Sequence, residues 1–117
     1  SGHRIELDNE KKMILLSDED GANLIRMKTE DGQMEITAEK KLTIKVGDNI
    51  ELILNGSNGA VSLKASKISV EANGNIQVQS NGAMKLQAGN VSVEANASLK
   101  LNSSGLAGLS GTPIKLG

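Results

Sequence analysis

The residues able to do chemistry in this chain are few, and their spacing suits it poorly. His3 is the single histidine. A Ser/His/Asp relay needs a histidine held in a cleft between nucleophile and carboxylate, whereas this one stands at the terminus and reads as an ordinary exposed residue. Paired carboxylates, which general acid–base catalysis uses, occur at Glu19-Asp20 and Glu30-Asp31. Both pairs fall in turn-forming clusters, where solvated loop carboxylates are the simpler reading. The Gly-rich stretch over residues 55–59 lacks the Lys-Ser/Thr of a phosphate loop, and no helical pattern follows it. There is no regular Gly-Gly-x-Gly-x-Asp run to bind calcium. With no cysteine, neither a disulfide framework nor a Cys-based metal site can form. The expectation is no enzyme: no catalytic, cofactor-binding or metal-ligating residue, and no cofactor.

The elements that would have to position any site are equally distinctive. The 117 residues contain no Phe, Tyr or Trp, and 38% are hydrophobic. Aromatic side chains supply much of the buried area in a compact core, so a core of Val, Ile, Leu, Met and Ala must be thin, layered and repetitive. Thirteen basic and fourteen acidic residues leave a net charge of -1. That balance argues against nucleic acid as a partner, because such proteins carry a basic face, and single strands also want aromatic stacking platforms. No apolar run approaches the ~20 residues of a membrane-spanning helix. Ser1-Gly2-His3 reads as a cut out of a larger chain or as a tag remnant.

Charge divides the chain into two zones. From residue 73 onward only Lys85, Glu94, Lys100 and Lys115 are charged, whereas the preceding part is dense in Asp, Glu and Lys. Residues 1–40 read as short antiparallel strands at 3–7, 13–17, 24–28 and 33–38, separated by Asp/Asn/Gly turn clusters. No stretch has a helical apolar period.

Residues 41–117 repeat one small unit, in which alternating apolar residues end at a Gly/Asn/Ser corner. The copies begin Leu42-Ile44-Val46, Ile50-Leu52-Leu54 and Val61-Leu63-Ala65. They continue through Ile68-Val70-Ala72, Ile76-Val78-Ser80, Met84-Leu86-Ala88, Val91-Val93-Ala95 and Leu99-Leu101-Ser103. The step is seven or eight residues, broken by an insertion at 55–60 that reads as a surface loop, or as a bulge where the width changes. Glycine takes positive φ at no steric cost, so the corners can bend sharply. Apolar residues two apart share one strand face, and Lys64, Glu71, Gln77, Gln79, Lys85, Gln87 and Glu94 point the other way.

A short fixed period marks a solenoid, but a corner every eight residues supplies only one wall of it. The units lack a triplet super-period, and the third inward position is mostly Ala or Ser, which suits a narrow axis shared by three copies. The predicted fold is therefore all-β, an intertwined homotrimeric β-helix with the form of a triangular prism, preceded by short antiparallel strands. Its core would be Ile68, Val70, Ala72, Ile76, Val78, Met84, Leu86, Ala88, Val91, Val93, Ala95, Leu99 and Leu101. Eight or nine layers at ~4.8 Å give a rod on the order of 40 Å long. The competing architecture is a single-chain β-solenoid.

Gly2-His3-Arg4-Ile5-Glu6-Leu7-Asp8, followed by short strands and eight-residue repeats such as Ile68–Val70–Ala72 and Ile76–Val78–Ser80, resembles a segment of the spike proteins of contractile injection systems. These include VgrG spikes of type VI secretion and the central spikes of phage tails. The resemblance covers nearly the whole chain and implies a needle fragment that follows a missing OB-fold. It implies a mechanical function: a trimer at the front of an inner tube, joined to tube and baseplate through N-terminal domains and driven through a target membrane. It also implies assembly in the cytoplasm or virion and delivery outward. The blunt end, Thr112-Pro113-Ile114-Lys115-Leu116-Gly117, would dock a PAAR-repeat tip protein. The His-x-His pair that holds iron in some phage spikes is missing here. The alternative function is a single-chain solenoid scaffold that polymerises end to end, like bactofilins; a glycan-binding fibre is disfavoured by the lack of aromatic sugar platforms.

Overall fold

Alternation and turn chemistry produce the expected strands near the start of the chain. In the computed structural model, which describes Ser1–Gly117, these are β1 (Arg4–Asp8), β2 (Met13–Ser17), β3 (Leu24–Lys28) and β4 (Gln33–Thr37). They pair in chain order as an antiparallel meander. The β2–β3 turn is held at both ends. The Asp18 backbone N–H donates to the Asn23 carbonyl at 3.1 Å, and Gly21 N–H donates to the Asp18 carbonyl at 3.3 Å. At the other end of β3, the Thr29 backbone N–H and hydroxyl both donate to the Lys12 carbonyl, at 2.9 and 3.0 Å.

A second meander follows, made of β5 (Lys41–Val46), β6 (Ile50–Asn55) and β7 (Ala60–Lys64), again antiparallel and in chain order. Here the structure departs from a β-helix beginning at residue 41. The first three copies of the repeat pair with one another within one chain. Their turns explain the change: Gly47 has φ +58 and Gly59 has φ +71, left-handed conformations that fold a strand back on its neighbour. The insertion at 55–60 proves to be the β6–β7 hairpin turn. Two Asx turns brace it, with Asn55 Oδ1 accepting from Ser57 N–H and Asn58 Oδ1 from Ala60 N–H, each at 3.0 Å. The Gly56 N–H donates to the Lys40 carbonyl at 2.8 Å, tying this turn to the start of β5.

Both meanders belong to one unit, Ser1–Gly74, and Asn75–Gly117 forms a second. Residues 65–117 contain neither strand nor helix by hydrogen bonding within the chain, and the chain is free of α-helix throughout. In the second unit two corners are made by serine rather than by left-handed glycine. Ser80 Oγ accepts from Gly82 N–H at 3.2 Å and donates to the Ala83 carbonyl at 3.3 Å. Ser103 repeats the device with Gly105 and Leu106, at 3.3 and 3.4 Å. Gly74, Gly82, Gly89 and Gly105 all lie outside the left-handed region, so the expectation that corner glycines bend through positive φ holds for Gly47 and Gly59 but not for these four. At Gly82 and Gly105 a serine hydroxyl does the bending instead. A serine at the third position of a repeat is therefore a turn former as well as a small residue.

A candidate assembly surface

Strand register decides which side chains share a face, because directly paired residues point the same way. In the first sheet, Ile5 pairs with Leu16, Leu16 with Ile25, and Ile25 with Ile36. Beside that row, Leu7 pairs with Ile14, Ile14 with Met27, and Met27 with Met34. One face of the sheet is thus apolar at eight positions out of eight. The opposite face carries Glu6, Leu15, Arg26 and Glu35 as its central row. Arg26 Nη1 meets Glu35 Oε1 at 3.2 Å there, and Leu15 is the one buried apolar side chain of the protein, 5% exposed.

The second sheet is built alike. Leu42, Leu54 and Val61 form one cross-strand row and Ile44, Leu52 and Leu63 the next, with the Val46–Ile50 pair beyond. The other face is mostly polar, with Ile53 in its central row, and there Lys45 Nζ lies 3.5 Å from Glu51 Oε2. Within this unit the two sheets border shared open hollows without packing against each other. Leu16, Ile25 and Ile36 of the first sheet and Leu42 of the second line one open hollow of about 420 Å³, and Ile36, Leu42 and Leu54 line an adjoining one. Nothing in the chain covers this surface: Ile5 is 81% exposed, Leu7 75% and Met34 72%. His3 is exposed and lines the first hollow together with Ser17, Asp18 and Asn23.

The residues singled out from the repeat are similarly uncovered. Ile68, Val70, Ile76, Val78, Met84, Leu86, Val91, Val93, Leu99 and Leu101 are all exposed, as are Ala72, Ala88 and Ala95. The single chain brings none of them into a strand pair. At the C-terminal end Ile114 and Leu116 are exposed too, and Thr112, Pro113, Lys115 and Gly117 likewise. Sequence reasoning passed over the sheet face that begins at Ile5. Its signal was present as apolar residues two apart in each of four strands, but it shows as one surface only once the register is known.

No three His, Asp or Glu side chains stand close enough together to hold a metal ion, and no helix is long and apolar enough to cross a membrane. The Asp18 carboxyl is perturbed by its neighbours. Its Oδ2 accepts from Asn23 Nδ2 at 2.7 Å and its Oδ1 from the Asn23 backbone N–H at 3.2 Å. The side-chain bond first, and the backbone bond second, hold its pKa below the usual carboxylate value. Asn23 also accepts from the Glu39 backbone N–H at 2.9 Å, so this cluster fastens the β2–β3 turn to the segment leaving β4. Its arrangement serves the fold. No protein-family model, curated protein or solved structure matches this chain.

Proposed function

We propose that this chain is the needle segment of a spike in a contractile injection machine, working as an intertwined homotrimer that pierces a target envelope. The observation that carries the reading is an apolar surface with nothing on it. It runs across both sheets, and the repeat beyond them exposes its apolar residues in the same way. The accessible surface totals 11253 Å², whereas a folded monomer of 12.2 kDa exposes about 6,000 Å². The excess is several times the ~800 Å² that each partner gives to a standard interface. Closed cyclic symmetry is the common way for identical chains to cover such a surface, and the small third residues favour three chains around a narrow axis.

In this reading residues 112–117 dock a PAAR-type tip protein, and domains before residue 1 join the needle to the inner tube. The role is mechanical, with no catalysis. A single-chain solenoid that polymerises end to end is less well supported. It requires hydrogen-bonded ladders between successive turns of the same chain, and residues 65–117 form none.

Light scattering on the purified chain tests the assembly. A discrete particle of three chain masses is expected; a monomer or an open-ended polymer would overturn it. Val78→Asp should abolish the trimer and Gln79→Asp should leave it intact. The role in injection is tested separately, by mass spectrometry of contractile particles purified from the source cells. A stable trimer that is absent from such particles would leave the needle architecture standing and sink the injection role.

A further inference from the structure

The corners contain four Asn-Gly pairs, at Asn55, Asn58, Asn73 and Asn81. We propose that Asn73 is a site of spontaneous deamidation and the reactive one of the four. The reaction needs no enzyme. The backbone nitrogen of the following residue loses its proton and attacks the asparagine Cγ, closing a five-membered succinimide while the side-chain nitrogen leaves as ammonia. Water then opens either carbonyl of the ring, leaving aspartate or isoaspartate at that position. Glycine in the following position favours the attack because it has no Cβ to obstruct ring closure. Two restraints oppose it: a hydrogen bond that fixes the asparagine side chain, and one that occupies the attacking N–H.

Three of the pairs carry such a restraint. Asn55 Oδ1 is held by Ser57 N–H at 3.0 Å, and Gly56 N–H is engaged by the Lys40 carbonyl at 2.8 Å. Asn58 Oδ1 is held by Ala60 N–H at 3.0 Å. At the fourth corner Gly82 N–H donates to Ser80 Oγ at 3.2 Å, leaving Asn81 without a free nucleophile. Asn73 differs on both counts. Within the chain its side chain is exposed and unbonded, and Gly74 N–H donates to no acceptor of the same chain. Gly74 is the last residue of the first unit, so conversion would set a new negative charge there, beside a segment with only four charged side chains. Isoaspartate would also lengthen the main chain at that corner by one methylene. Asn73 would thus act as a slow, one-way mark of the protein's age.

The test is peptide mapping by mass spectrometry on the intact chain before and after prolonged incubation in mildly alkaline buffer. The one-dalton gain should accumulate several-fold faster in the peptide carrying Asn73 than in those carrying Asn55, Asn58 or Asn81. Equal rates at the four sites, or a faster rate at another, would overturn the assignment. Two variants probe the cause. Gly74→Ala should slow the reaction at Asn73 without disturbing the fold, since Gly74 is outside the left-handed region and an added Cβ meets no atom within 4 Å. Ser80→Ala frees Gly82 N–H and should raise the rate at Asn81 toward that at Asn73. An unchanged Asn81 rate in that variant would sink the explanation by hydrogen bonding.

Discussion

Asp18 and Asn23 show how much of the order here rests on single polar side chains. Five hydrogen bonds link Ser17, Asp18, Asn23 and Glu39 around the β2–β3 turn, in a unit with only one buried apolar residue. Because the fold lowers the Asp18 pKa, it binds the ionised form more tightly than the unfolded chain does. That contribution is complete above the unfolded carboxylate's pKa and disappears as pH falls through the lower folded value. Asp18→Ala should therefore lower the melting temperature at neutral pH, and the gap between variant and parent should close in strong acid. A gap independent of pH would show that the carboxylate charge is not what holds the turn. The same scale separates the corner glycines. Gly59→Ala forces a side chain into φ +71 and should cost about 1 kcal/mol, measurable by denaturant unfolding. Gly82→Ala, with no such strain and open space around it, should be close to neutral.

Among the elements, the two sheets are alike in plan: each sets an uncovered apolar face against a mixed face that carries a weak ion pair. The Arg26–Glu35 pair is partly exposed, 30% and 52%, and a surface bridge of that kind contributes ~0–1 kcal/mol. The apolar face matters more. Leu16→Asp and Leu52→Asp should each disrupt assembly, read as loss of the three-chain particle by light scattering. Thr43→Asp, on the opposite face by register, should leave the particle intact. If Leu16→Asp assembled normally, the first sheet would lie outside the interface. The strands of that sheet were legible from alternation and turn residues, to within a residue at most ends. The loss of the β-helix from residues 41–64 was not, because a corner that turns a chain onward and one that turns it back share the same Gly, Asn and Asp. Only the φ values at Gly47 and Gly59 separate the two. The serine corners escaped notice for a related reason. A serine at the end of a strand reads equally as a small inward residue or as a turn-forming hydroxyl, and Ser80 and Ser103 are the second kind.

For the whole molecule, the uncovered surface couples folding to association. A chain that buries one leucine within itself cannot offset the conformational entropy lost in ordering it, roughly 1–2 kcal/mol per residue for the backbone. The deficit must be made up where chains meet, by removing the exposed Ile, Leu, Val and Met rows from water at ~25 cal/mol per Å². If three chains supply that burial together, no folded monomer is available as an intermediate of appreciable population, and stability becomes a function of protein concentration. The melting temperature should then rise steadily with concentration over a dilution series, and refolding from denaturant should slow on dilution with higher than first-order dependence. Circular dichroism at several concentrations, with light scattering on the same samples, checks both. Strand signal that survives dilution into a monomeric regime would mean that the sheets hold themselves together. The unpartnered apolar face would then need an occupant other than copies of this chain, and the needle reading would lose its support.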